Sequence, residues 1–340
     1  MTDGTAWWGS PGCYPVAPGV HRVPLSMPND GLRAVNVYAL EVADGLVLVD
    51  GGWAVPTAMD ELDAALGSIG RSVDEISDVL VTHIHQDHYT FAVRLREAVG
   101  ARVHLGRGER PGLAEVRRVG SAVPVSSLRE LRRSGAAGLA VDIEASTAGL
   151  PFDADDWADP DEWMDPGVVD LGGRRLVAVP TPGHTKGHMV FHDVENGLLF
   201  SGDHVLPTIT PSIGFELGEW DLPLARYLAS LELLLGRDDA RLVPAHGLVT
   251  SSVHERVAAL LRHHHERFGQ VHEVLLREVS ASALEVAAGL RWTRRGTPFA
   301  ELDAFNQMIA VCETIAHLDV MVARGEVAVS DDGGVAVFVP

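Results

Sequence analysis

Nine consecutive residues, Val81-Thr82-His83-Ile84-His85-Gln86-Asp87-His88-Tyr89, constrain this chain more than any other stretch. Three imidazoles and one carboxylate fall within six positions. The apolar run 79–81 before them reads as a short buried strand, and 91–99 after them reads as a helix. The cluster is therefore expected in a strand-to-helix turn, where side chains can fan out around a point. Neutral imidazole nitrogen and carboxylate oxygen suit zinc and related divalent ions. A helix would pair ligands at i and i+4, whereas spacings of two, four and five from His83 fit a loop. A lone histidine is usually a packed or exposed residue, but packing alone is a poor account of four ligand-type side chains this close together.

One loop cannot close a metal site, so further ligands are expected at other strand ends. Thr181-Pro182-Gly183-His184-Thr185-Lys186-Gly187-His188 follows an expected strand at 176–179. Phe200-Ser201-Gly202-Asp203-His204 follows one at 197–200, and Val243-Pro244-Ala245-His246-Gly247 follows one at 241–243. Each repeats the same order: apolar strand, small or turn residue, ligand type.

With these residues in place, the chain resembles the metallo-β-lactamase-fold hydrolases over roughly residues 20 to 250. The resemblance implies a four-layer αββα sandwich, two stacked sheets between outer helices, with metals at one sheet edge. It implies that His83, His85 and His184 hold one metal, that Asp87, His88 and His246 hold a second, and that Asp203 bridges them. Asp50, ending a strand at Asp50-Gly51-Gly52, would support the site by hydrogen bonding rather than ligation. Histidine at position 85 departs from the flavodiiron branch, which has glutamate there. Asp203 departs from the true β-lactamases, which lack a bridging aspartate. A complete set of seven ligands departs from the mononuclear iron persulfide dioxygenases.

Length and composition agree with one large domain and a small one: 340 residues, 46% hydrophobic. A net charge of −20 disfavours nonspecific binding to nucleic acid or anionic membrane. Two distant cysteines, Cys13 and Cys312, do not make a disulfide scaffold, so a reducing cytoplasm is expected. Met1-Thr2-Asp3-Gly4 lacks the basic and apolar regions of a signal peptide, and no run approaches the roughly 18 apolar residues of a membrane span. All basic residues but Lys186 are arginine, a bias that fits GC-rich coding better than function.

Along the chain, residues 1–19 read as irregular, with Trp7, Trp8 and Tyr14 tucking the tail down in preference to lining a pocket. Strands are expected at 20–25, 34–42 and 45–49, and an amphipathic helix at 57–69. This alternation of strand and helix is the α/β pattern. Residues 107–167 form a long insertion between ligand stretches, with a helix at 127–135. From 151 to 173 there are eight acids and no base, with Trp157 and Trp163 interleaved. That segment reads either as a lid or as a solvated excursion. Residues 206–215 read as apolar pocket wall. Trp53, Tyr89 and His204 are candidate substrate contacts, and Tyr89 or His204 would be the next proton acceptor after Asp87. Helices are expected at 221–235 and 253–268, the second capped by Ser252. His263-His264-His265 lies on that helix. Successive residues there point about 100° apart, so the triplet is structural.

From 269 the pattern changes to helices at 270–278, 282–289 and 299–324, then a hairpin around Asp331-Asp332-Gly333-Gly334. Helices followed by a hairpin resemble a winged helix, and a winged helix on this hydrolase resembles the LACTB2-like branch. The expected division is a hydrolase domain at 1–268 and a winged-helix-like domain at 269–340. The second part carries five arginines against ten acids, a poor match to duplex DNA. It is expected instead to pack on the hydrolase, walling the cleft or forming a homodimer contact.

A ligand set of this kind implies two divalent ions, zinc in the first instance. Ions about 3.5–4 Å apart can share a water, lower its pKa toward about 7 and polarise a carbonyl or phosphoryl oxygen. Asp87 is the expected catalytic base as well as a ligand. The expected reaction is hydrolysis of a small-molecule acyl substrate (thioester, ester or lactone) by a metal-bridging hydroxide. The alternative is a phosphodiesterase on single-stranded RNA, as the LACTB2-like resemblance allows. A third, a DNA-binding regulator, conflicts with the complete ligand set.

Overall fold

The computed structural model describes residues 7–28, 31–213 and 220–340. Two sheets stack face to face. The first has seven strands in sequential order: β1 (Tyr14–Ala17), β2 (Val20–Ser26), β3 (Ala34–Val42), β4 (Gly45–Val49), β5 (Ile76–Val81), β6 (Arg102–Gly106) and β7 (Glu162–Met164). β1 to β4 pair antiparallel and β4 to β7 parallel. The second sheet orders β8 (Gly167–Asp170), β9 (Arg175–Pro180), β10 (Met189–Asp193), β11 (Leu198–Gly202) and β12 (Arg241–Pro244) as β12-β11-β10-β9-β8. Tyr38, Leu40, Val47 and Leu80 of one sheet meet Ala178, Phe191, Leu198 and Phe200 of the other in the core between them.

Helices cover both outer faces. α1 (Ala58–Gly67) and α2 (Gln86–Val99) bury Leu62, Leu66, Ala92 and Leu95 on the first sheet, with α3 (Arg110–Val119) beside them. α4 (Val125–Arg133), α5 (Ala137–Thr147), α6 (Pro223–Leu235) and α7 (Val253–Glu278) cover the second. The chain is thus the four-layer αββα sandwich.

The insertion and the C-terminal part depart from expectation together. Residues 107–167 hold three helices rather than one, and two of them, α4 and α5, receive the C-terminal elements. α7 is a single 26-residue helix, so the expected break at 268/269 falls inside it. One Gly in a helix costs only about 1 kcal/mol. Val257, Leu260, His264, Phe268, Val271 and Leu275 continue one buried stripe straight through Gly269. Beyond it lie β13 (Ala281–Ser282), α8 (Ala283–Gly289), β14 (Arg291–Trp292), β15 (Thr297–Pro298), α9 (Ala304–Ala323), β16 (Ala328–Asp332) and β17 (Val335–Val339). A small sheet orders β13-β17-β16. Asp303 caps α9 by accepting from Asn306 N, so the expected 299–324 helix begins later. Val311, Ile315 and Leu318 pack into the core shared with α4, α6 and the second sheet, whereas Phe305, in the first turn of α9, is 53% exposed. Arg133 of α4 grips both carboxylate oxygens of Asp319 at 2.8 and 2.6 Å.

The acidic segment is neither lid nor free excursion. Arg94 pairs with Asp153 and Asp156, Arg117 with Asp159, Arg96 with Asp161 and Arg107 with Asp165. Exposed pairs contribute little singly. Here they act with apolar anchors: Trp157 and Trp163 pack on the α2 core, and β7 joins the sheet edge. The result is a strap across α2 and α3.

Candidate metal centre

Five strand ends converge at one edge of the sandwich. β4 delivers Asp50, β5 the loop Thr82–His85, β9 the turn to His184, β11 Asp203 and β12 His246. Asp87 and His88 lie in the first turn of α2, which starts five residues earlier than the sequence pattern indicates. Two of the four clustered ligand types therefore sit on a loop and two on a helix N-terminus, where a carboxylate is favoured by the helix dipole. Gly202 adopts φ +49, and a Cβ there would lie 2.6 Å from Thr82 Oγ1 and 2.8 Å from His188 Nε2. Only glycine lets β11 come this close to the histidine loop.

His83 Nε2 and His184 Nε2 each lie 3.0 Å from His85 Nδ1. Tetrahedral nitrogens around zinc would be about 3.3 Å apart. Burial and the neighbouring imidazoles push His83 well below its ordinary value; burial likewise pushes His85 down to about 3 and His184 to about 4. All three are neutral, the form that ligates. In the second set the carboxylates pull the imidazoles the other way. His246 Nε2 is 3.3 Å from Asp87 Oδ2, and His88 Nε2 is 3.5 Å from the same oxygen. Burial opposes charge on His88, yet Asp87, Asp50 and Asp203 outweigh it and raise it to about 10. Burial would raise Asp87, but His88 and His246 hold it well below the usual carboxylate range. Asp203 faces both sets: Oδ2 is 3.5 Å from His184 Nε2, and Oδ1 is 3.4 Å from His246 Nε2 and 3.7 Å from His88 Nε2.

Whether these residues suit a metal is decided by their polar atoms. Buried donors and acceptors are normally hydrogen-bonded. His88 Nε2, Asp203 Oδ1 and His246 Nε2 are buried without a hydrogen-bond partner, and all point into this cluster. The sets His83/His85/His184, His83/His88/Asp203 and Asp87/His88/His246 each bring ligand atoms within 4.8 Å of one another. The donor set fits divalent cations.

The far sides of the ligands are held as well. Asp50, at φ +63, accepts from Thr82 N and Oγ1 through Oδ1 and lies 3.0 Å from His88 Nδ1 through Oδ2. His184 Nδ1 donates to Ser212 O and His246 Nδ1 to Ala34 O, both at 2.9 Å. Such partners fix ring orientation and tautomer.

Two expected substrate contacts lie elsewhere. Tyr89 is fully buried; its hydroxyl donates to Ala158 O at 2.6 Å and its ring faces Trp157. One position past His88 on α2, it is rotated about 100° away from the ligands, toward the strap. His204 is also fully buried, behind Asp203, between His188 and Tyr227. Both side chains are closed off from solvent. Trp53 is half-buried against the α1/α2 core. In the expected pocket wall, Leu206 and Ile213 are buried, and Gly214 and Phe215 lie outside the described residues.

Three contributors are not evident from sequence. His188 stacks on His83 with centroids 4.9 Å apart, and its Nε2 accepts from Asp203 N at 3.3 Å. Its place in the HTKGH run is the only signal. Glu109 is fully buried and accepts from Thr185 Oγ1, joining the insertion to the His184 loop. Burial pushes its carboxyl up to about 7, against the pull of that hydroxyl. Nothing local marks it, because its partner lies 76 positions away. The third is Trp8, whose ring meets that of His246 edge-on at 6.4 Å.

Residues 30–246 match the model of the metallo-beta-lactamase superfamily. The chain belongs to this superfamily. Its members are hydrolases, and the fold typically binds divalent metals. A metallo-beta-lactamase family protein from Thermus thermophilus aligns with a TM-score of 0.75 and 27% identity, covering 95% of this chain and 99% of that one. The likeness therefore extends through the C-terminal elements. Lactamase-like protein aptB of Emericella nidulans is 27% identical over 247 residues, 72% of this chain and 61% of that protein. The chain thus spans about three-fifths of that relative's length. Hydroxyacylglutathione hydrolase of Cereibacter sphaeroides is 27% identical over 179 residues, 52% of each chain. Among the described residues of this superfamily member, no helix is long and apolar enough to cross a membrane.

Proposed function

We propose that the protein is a dinuclear-metal hydrolase acting on a small acyl compound, a thioester, ester or lactone. The observation that carries this reading is Asp203, whose two oxygens face two separate ligand sets. His83, His85 and His184 would hold one ion and Asp87, His88 and His246 the other, with zinc the metal that suits nitrogen-rich sites of this size. When bound, such a pair lowers the pKa of a water toward about 7 and polarises the carbonyl under attack. Asp87 lies beside His88 and His246 and would be the acceptor for the proton that the attacking water loses. Asp50 keeps Nδ1 of His88 engaged and Nε2 turned inward. The similarity to a hydroxyacylglutathione hydrolase supports thioester chemistry. Two free thiols, Cys13 and Cys312, accord with a cytoplasmic location.

The RNA phosphodiesterase reading has one specific observation in its favour. The order β13, α8, β14, β15, α9, β16, β17 with sheet order β13-β17-β16 supports a winged-helix-like reading of the kind the LACTB2-like resemblance implies. Against nucleic acid stand the acidic balance and α9 itself, buried from Ala310 to Leu318 and so withheld from a groove. We keep 269–340 as a winged-helix-like unit, rooted in α7 rather than linked to it. The test is a hydrolysis panel of acyl thioesters, esters, lactones, β-lactams and single-stranded RNA, with and without chelator. Chelator-sensitive turnover of an acyl compound is expected; turnover of RNA alone would transfer the assignment to the second reading.

A further inference from the structure

We propose that Trp7 and Trp8 form an aromatic subsite beside the metal centre that binds the flat apolar acyl portion of the substrate. The tail does more than tuck down. Trp8 places its indole edge-on to His246, 6.4 Å between centroids, and Trp7, 46% exposed, lies with its ring 5.4 Å from that of Trp8. Trp7 and Trp8 together present a large apolar surface next to the His246 loop.

The pair is held in place by the main chain. Arg22 Nη1 donates to Trp8 O and to Asn36 Oδ1, and Asn36 Nδ2 donates to the carbonyls of Pro244 and Gly247 on either side of His246. One buried network thus sets the tail and the His246 loop in a common frame. Ser10 N closes a turn on Trp7 O at 2.9 Å. The Trp7 ring lies so close over Gly9 that a Cβ there would be 2.4 Å from it. Across the centre, His184 is tied to the 206–213 segment through Ser212. The arginines that touch that segment are turned to its carbonyls: Arg256 to Leu206 and Ile209, Arg294 to Thr208. On the Trp side the surface offered is aromatic, which would select aryl or other planar acyl groups over acetyl.

This inference rests on the hydrolase reading for its turnover test only. The full-length metal-loaded protein and the variants Trp7→Ala, Trp8→Ala and Trp8→Phe are compared on naphthoyl and acetyl thioesters of one thiol. Binding of free 2-naphthoate and acetate is measured by calorimetry. Because the tail is anchored through the Trp8 carbonyl, truncating the indole leaves that anchor, and unchanged metal content reports an intact His246 loop. The naphthoyl-to-acetyl ratio of kcat/KM should fall about tenfold in Trp8→Ala, mainly through KM, and recover in Trp8→Phe. Naphthoate affinity should weaken in parallel. Equal losses on both thioesters, or no preference for naphthoyl in the parent, would overturn the subsite. If neither thioester is cleaved, the acyl hydrolase reading fails by itself. The calorimetry then decides: naphthoate affinity indifferent to Trp7 and Trp8 overturns the proposal, and affinity lost with them sustains it.

Discussion

Two buried histidine clusters lie in this molecule, and they behave in opposite ways. At the sheet edge, His83, His85, His88, His184 and His246 aim ring nitrogens at one another and at Asp203, and the inward nitrogens of His88 and His246 have no hydrogen-bond partner. In the helical layer, only His264 of the His263-His264-His265 triplet turns fully inward. It donates from Nδ1 to His317 Nε2 at 3.1 Å, and His317 Nδ1 donates to Glu313 O at 2.7 Å. The rest of that cluster diverges. Arg267 lies over the Trp292 ring and 4.0 Å from Glu313, placing a cation beside the cluster. Histidine count therefore does not make a site. What matters is whether the backbone converges ligand atoms and keeps fixed cations out.

The sharpest break of this contrast is Asp203→Ala. It should lower bound metal from two ions toward one per chain and reduce turnover by at least about a hundredfold. Elemental analysis giving one tightly held ion in the fully active parent would overturn the dinuclear reading. Asp87→Asn should reduce kcat by roughly a hundredfold with a smaller change in KM; an unchanged kcat would remove Asp87 as the base. Glu109→Ala should weaken metal binding about tenfold in a chelator competition, with Glu109→Gln recovering most of it, because the role assigned is to hold Thr185 and so the His184 loop.

The helical cluster should respond in stability alone. His317→Leu should leave metal content at the parent level while changing the pH dependence of unfolding. Burial holds the His317 imidazole down at about 3, against an ordinary 6.5. Between those values the unfolded chain binds the extra proton, so this group's contribution is complete above pH 6.5 and is lost as pH falls toward 3. The variant's stability should therefore fall less steeply over that interval; parallel curves would show that His317 is not held neutral. The smallest effect expected is none at all: duplex DNA should give no salt-sensitive complex at physiological ionic strength, and a submicromolar one would reopen the regulator reading.

Much of the site was legible because its chemistry is local. His83, His85, Asp87 and His88 lie within one strand–helix junction, and His184, Asp203 and His246 each follow an apolar strand, so residue type and spacing name them. The same periodicity locates β3, β4 and α8 within a residue. What sequence could not decide is where a side chain points once it leaves the backbone. Tyr89 and His204 adjoin ligands yet face the strap and the core, since one step along a helix or turn redirects the Cα–Cβ bond. Glu109, His188 and Trp8 act through partners brought near by sheet stacking, a contact with no local pattern. The α7 helix runs through Gly269 because a continuous buried stripe outweighs one glycine's propensity. The acidic 151–173 segment becomes a strap because Arg94 and Arg96 on α2, Arg107 before α3 and Arg117 on α3 meet its carboxylates from elsewhere in the chain. Composition sets the identity of the ligands; the packing of two sheets decides what surrounds them, because orientation and burial are properties of the assembled layers.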